Sequence, residues 1–185
     1  MAATNSIMMP LGTSAPDFRL LDTVTGSVMN LDGLKGRRGT LIMFICNHCP
    51  YVIHIKSQLI ALANEYRAEG INSVAISSND IVHYPQDAPD KMAALMADWA
   101  FPFDAYLFDE SQSVARRYQA ACTPDFYLFD DSLRCIYRGR LDESTPKNNI
   151  PVTGVDLRNA LNDCVAGDTV SEEQIPSIGC NIKWK

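Results

Sequence analysis

The sequence has no run of about 18 apolar residues, so no segment of it is expected to span a bilayer. It also has no basic excess: Lys plus Arg number 16 against 22 for Asp plus Glu, a formal charge of −6. A surface of that balance attracts no polyanion overall, so neither nucleic acid nor a membrane is an expected partner. The one basic cluster, Lys35, Arg37 and Arg38, reads as a solvated loop. The first ten residues lack the charged start and apolar stretch of a signal peptide, and the chain is expected to be cytoplasmic. Internal repeats and low-complexity linkers are missing, as is the regular spacing of oxygen ligands that calcium requires. Gly33, Gly36 and Gly39 lack both the spacing and the preceding strand of a phosphate loop. Six cysteines in 185 residues are too few for a disulfide-stapled scaffold.

What is present is an ordinary globular composition, 46% apolar and 21% charged. Its periodicity alternates between strands and helices. Residues 17–31 read as a hairpin turning near Thr25-Gly26, and 33–39 as a loop. Residues 40–45 and 71–77 are continuous apolar runs, as expected of strands buried on both faces. Between them, from about 47 to 69, Tyr51, Ile55, Leu59, Leu62 and Tyr66 form a helical stripe that Gly70 ends. Further helices are expected near 90–99, 111–121 and 155–165, with strands near 105–108, 126–129 and 133–140. The expectation is one α/β domain over residues 1–185, with a mixed central sheet flanked by helices. Its core runs from about 14 to 166, and 167–185 form an irregular tail.

The segment that carries chemistry is Cys46-Asn47-His48-Cys49, between a buried strand and a helix. Cysteines three apart at a helix start share a face, so their sulfurs can approach disulfide geometry. Free N–H groups and the helix dipole at that end stabilise a thiolate. On this reading Cys46, at the exposed end, is the nucleophile and Cys49 resolves the mixed disulfide. His48 stabilises the thiolate. Pro50 suits a first helical turn. The same spacing also occurs among core cysteines and in zinc sites, but a second Cys-x-x-Cys or His pair is missing.

The second signal is Ala121-Cys122-Thr123-Pro124-Asp125-Phe126, a proline just ahead of a strand. Together with Ala15-Pro16-Asp17-Phe18, the segment around Cys46 and the tail 176–184, it resembles the peroxiredoxin-like (alkyl hydroperoxide reductase/thiol-specific antioxidant) group of the thioredoxin superfamily. The resemblance implies a thioredoxin-like fold with an N-terminal β-hairpin. It also implies that Thr123-Pro124 backs an extended substrate across from the dithiol. The peroxidatic pattern Pro-x-x-x-Thr/Ser-x-x-Cys is met by neither cysteine: counting back gives Ile42 and Cys46, or Gly39 and Met43. Thioredoxin's buried strand acid is Thr40 here, and the residue before the first cysteine is Ile45.

The expected function is thiol-disulfide exchange between a protein or small-molecule disulfide and a thiol reductant. It needs no cofactor beyond the Cys46–Cys49 pair. Two alternatives stay open: peroxide reduction at an atypical site, or a metal-binding or redox-sensing role using Cys46, Cys49 and His48 with Cys122 or Cys180. Cys122 and Cys180 are candidates for additional redox thiols. Cys135 and Cys164 read as small buried hydrophobes.

Overall fold

The computed structural model describes residues 3–185. After β1 (Ala3–Asn5), strands β2 (Arg19–Asp22) and β3 (Val28–Asn30) form the expected hairpin, pairing Arg19 with Asn30. A single turn of helix, α1 (Leu31–Leu34), follows, capped by Asn30, whose Oδ1 accepts from the Gly33 N–H. Next come β4 (Gly39–Phe44), α2 (Pro50–Ala68), β5 (Ile71–Ser77), a 3-10 turn at Pro85–Asp87, and α3 (Pro89–Asp98). The chain continues through β6 (Ala105–Phe108), α4 (Ser113–Arg117), β7 (Cys122–Thr123), β8 (Asp125–Asp130) and β9 (Cys135–Gly139). It closes with α5 (Val155–Ala166) and β10 (Ile178–Asn181).

The main sheet has the order β3-β2-β6-β5-β4-β8-β9. Strands β4, β5 and β6 run parallel, while β8 and β2 are antiparallel to their neighbours, so the sheet is mixed as expected. Side chains of β4 alternate between two cores. Leu41 and Met43 meet α2, α3 and α5 on one face, and Ile42 and Phe44 meet α1, α4 and the N-terminal segment on the other. All six residues of β4 are buried, which explains the unbroken apolar run in the sequence. No helix among the described residues is long and apolar enough to cross a membrane.

Three expectations are corrected. The helix expected from residue 47 starts at Pro50, because proline fits N1 and Cys49 takes the cap. The helix expected over 111–121 is confined to Ser113–Arg117. The tail is not wholly irregular: β10 lies between β1 and β7 in a small antiparallel sheet. Its sequence, Ile178-Gly179-Cys180-Asn181, carries little strand propensity of its own, and the pairing comes from partners far away in the chain.

Asp125 begins β8, directly after the cis Thr123–Pro124 bond, and is almost wholly buried. Burial raises its carboxyl to about 8, although Tyr127 donates to its Oδ2 at 2.9 Å. Below an unfolded value near 4 the proton is held in both states; between there and 8 only the folded chain keeps it. Stability therefore falls as pH rises through that window. Asp125→Asn should flatten this slope and stabilise the protein above pH 8 by several kcal/mol, read from thermal melts at pH 5 and 9. An unchanged slope would remove the assignment.

Candidate functional site

Parallel neighbours β4 and β5 open their carboxyl ends on the same side, so the loops after them meet there. The β4 loop carries Cys46, Asn47 and His48 and leads to Cys49, the N-cap of α2. The β5 loop carries Asn79 and Asp87. The Thr123–Pro124 turn faces both cysteines: Cys46 Sγ lies 3.5 Å from Thr123 Oγ1, and Cys49 Sγ donates to Thr123 O at 3.1 Å. The sequence reading of a dithiol opposite this turn is thus what the fold brings together.

Burial departs from the expectation. Cys46 is not an exposed thiol: it is 1% accessible and Cys49 0%. Beside them, partly exposed Asn47 and His48 form the rim. Ionisation departs as well. The helix start belongs to Cys49, and its thiol is lowered to about 5. Interaction with Cys46 contributes most, and Cys180, Thr123 and the Val52 amide add to it against the cost of burial. Cys46 moves the opposite way, raised by its interaction with Cys49, by burial and by the charge of Asp87. Within the reduced pair, Cys49 is thus the thiol pulled down and Cys46 the one pushed up.

His48 lies beside both Asp87 and Cys46. Its Nδ1 lies 2.8 Å from Asp87 Oδ2, in ion-pair range without hydrogen-bond alignment, and its ring stacks on Tyr84 with centroids 5.6 Å apart. Asp87 is fully buried and also accepts from the Asn47 N–H at 2.9 Å and Asn79 Nδ2 at 2.8 Å. It fixes both residues between the cysteines. The sequence reading missed Asp87 because it lies 40 residues from Asn47 in an unremarkable loop; the only signal was that two parallel strands must open their loops together.

Cys46 Sγ, a His48 ring nitrogen and an Asp87 oxygen lie within 4.8 Å of one another. Sulfur, nitrogen and oxygen form a donor set that zinc accepts. The carboxylate, however, is already engaged by two N–H donors.

Thr123 and Pro124 occupy their expected place, but the Thr123 backbone is not a free edge. β10 pairs along it, matching Cys180 with Thr123 and Asn181 with Cys122. Cys122 is buried near the cluster with its sulfur 3.6 Å from Pro124 O, and burial pushes its thiol up. Cys180, 3% accessible, pairs with Thr123 beside the dithiol. Cys135 and Cys164 stand apart from it; both border a surface cleft of about 640 Å³ that contains none of the dithiol residues. His54 bonds to Ser144 at 2.6 Å, a packing role.

The profile of the AhpC/TSA family matches residues 11–137. The chain belongs to the AhpC/TSA family. Two solved structures resemble this AhpC/TSA chain along nearly their whole length. One is an uncharacterized conserved protein from Geobacillus kaustophilus, at 51% identity and TM-score 0.97, covering 100% of this chain and 97% of that one. The other is a hypothetical protein from Sinorhizobium meliloti 1021, at 42% identity and TM-score 0.94, covering 98% of each. The thioredoxin domain of a thiol-disulfide oxidoreductase from Bacteroides vulgatus shares the fold at 16% identity and TM-score 0.59, covering 71% of this chain and 89% of that one. No curated protein matches the sequence. Family and fold together support a thioredoxin-like redox function.

Proposed function

We propose that this protein is a thiol-disulfide oxidoreductase whose working group is the Cys46–Cys49 pair. The observation that carries the reading is geometric: the two cysteines, at the end of β4 and the start of α2, both meet the Thr123–Pro124 turn, and Cys49 is lowered to about 5 while Cys46 is raised beside it. Cys49 thiolate takes the Cys46 proton as Cys46 sulfur attacks a substrate disulfide, releasing one substrate thiolate. Cys49 then attacks Cys46 in the mixed disulfide. A Cys46–Cys49 disulfide forms, and the second substrate sulfur leaves with the proton that Cys49 held. A thiol reductant restores the pair, and no cofactor is needed.

Cys46 is assigned the first attack because it adjoins the rim at Asn47 and His48. His48, oriented by Asp87, is placed to relay protons between that rim and the Cys46 side. Thr123 contributes a hydroxyl to Cys46 and a carbonyl to Cys49. The substrate class is a disulfide, carried on a protein or a small molecule.

The test is turnover of a protein disulfide and of hydrogen peroxide side by side, with Cys46→Ser as control. Disulfide turnover that disappears in the control is expected. Equal turnover in the control would overturn the assignment of Cys46. Turnover of peroxide alone would replace the reading with a peroxidase. Stoichiometric zinc in protein purified without chelator, together with inactivity on both, would favour a metal role for Cys46, His48 and Asp87.

A further inference from the structure

The strand that closes the chain lies where a redox partner would. β10 runs antiparallel along Cys122–Thr123, the backbone expected to hold an extended substrate, and brings a thiol with it. The approach is as close as a glycine permits: a Cβ at Gly179 would stand 2.0 Å from Thr123 O, the same carbonyl that accepts from Cys49 Sγ. Beyond Cys180 the tail is held firmly. Ile182 N–H donates to Ala121 O at 3.1 Å, Lys183 N–H donates to Asn79 Oδ1 at 2.8 Å, and Gln112 Nε2 donates to Lys183 O at 2.8 Å. Asn79 is in turn a partner of Asp87, so the tail and the His48–Asp87 pair share one hydrogen-bonded frame.

We propose that Cys180 is a third redox thiol, which takes over the disulfide from Cys46–Cys49 to give Cys49–Cys180 and a free Cys46. This rests on the dithiol reaction proposed for Cys46 and Cys49. Cys49 shares Thr123 with both other thiols: its Sγ lies 3.1 Å from Thr123 O, Cys46 Sγ meets Thr123 Oγ1 and Cys180 pairs with Thr123, all within one buried cluster. That is the position the central atom of a thiol-disulfide exchange must hold. Cys180 sulfur attacks Cys49 sulfur, the Cys49–Cys180 bond forms as the Cys46–Cys49 bond breaks, and the Cys180 proton passes to the departing Cys46 sulfur. No electrons enter or leave, so no further oxidant is needed.

Charge favours this order of events. In the reduced protein Cys180 is pushed up to about 12 by burial and by the neighbouring Cys49 charge, which keeps it an idle thiol. Once Cys49 is in a disulfide that charge is gone, and only burial still opposes ionisation. Cys180 lies in the same buried cluster as Cys46 and Cys49, so an internal sulfur is its natural reactant. A buried cysteine that merely fills space needs no such placement. Cys135 serves as the contrast, packed among Met9, Ile42 and Phe129 on the opposite face of the sheet.

The experiment treats the reduced full-length protein with oxidised glutathione, quenches it in acid and maps disulfides by peptide mass. Wild type is expected to give both Cys46–Cys49 and Cys49–Cys180 peptides, and Cys180→Ser only the first. Cys46→Ser should form Cys49–Cys180 and release glutathione, whereas Cys46→Ser with Cys180→Ser should keep glutathione on Cys49. A Cys46–Cys49 peptide in wild type with no Cys49–Cys180 peptide in any chain overturns the third thiol and leaves the dithiol reading standing. No Cys46–Cys49 peptide in either wild type or Cys180→Ser overturns the dithiol reading itself. The wild-type and Cys180→Ser arms decide the matter even where Cys46→Ser does not fold.

Discussion

Cys49→Ser is expected to stop turnover and leave the protein covalently joined to its disulfide substrate through Cys46. The reason is the division of labour between the two sulfurs. Cys46 can still attack, but nothing one helical turn away can release the product. The variant should therefore accumulate a mixed disulfide that survives denaturation and is cleared by added reductant. Steady-state turnover should fall on the order of a hundredfold or more. The first attack should slow as well, because in the native pair Cys49 receives the Cys46 proton. Mass measurement of acid-quenched samples separates the outcomes. A stable adduct on Cys46 supports the assignment; an adduct on Cys180 or Cys122, or none with turnover retained, would contradict it.

The sequence made the dithiol legible because it is local, whereas Thr123–Pro124 gained its place opposite the dithiol through the family resemblance. Two cysteines three apart after a buried apolar run need no tertiary information, and a proline before a strand marks its own turn. The central strands were equally readable: β4 and β5 are buried on both faces, so their composition alone identifies them. Asp87 and β10 were not legible in that way. Asp87 becomes a site residue only because β4 and β5 run parallel and send their loops to one end. β10 is a strand only because Thr123 and Ala3 offer it partners, and Gly179, which reads as a breaker, is what allows the close approach.

The two errors about the cysteines have one cause. Reading the helix from residue 47 placed Cys46 nearer the dipole and the surface than it is. With Pro50 at the first helical position, Cys49 is the cap, and its thiol is lowered chiefly by its interaction with Cys46. A His48 ring nitrogen lies within 4.8 Å of Cys46 sulfur, and it also faces a carboxylate that sequence spacing could not reveal. Local sequence identifies which chemistry is present; the tertiary loop arrangement decides which sulfur carries the charge.

That charge has a consequence for the redox potential. A dithiol that ionises near 5 is more stable in its reduced form at pH 7 than one ionising near 7, as thioredoxin's does. A pair so stabilised is more oxidising than thioredoxin, whose potential is roughly −270 mV. The direct measurement is equilibration with glutathione buffers at pH 7, reading the Cys46–Cys49 disulfide by peptide mass. The account predicts a reversible two-electron transition at a potential clearly above about −270 mV. A pair that never closes, or one as reducing as thioredoxin or more so, would contradict it.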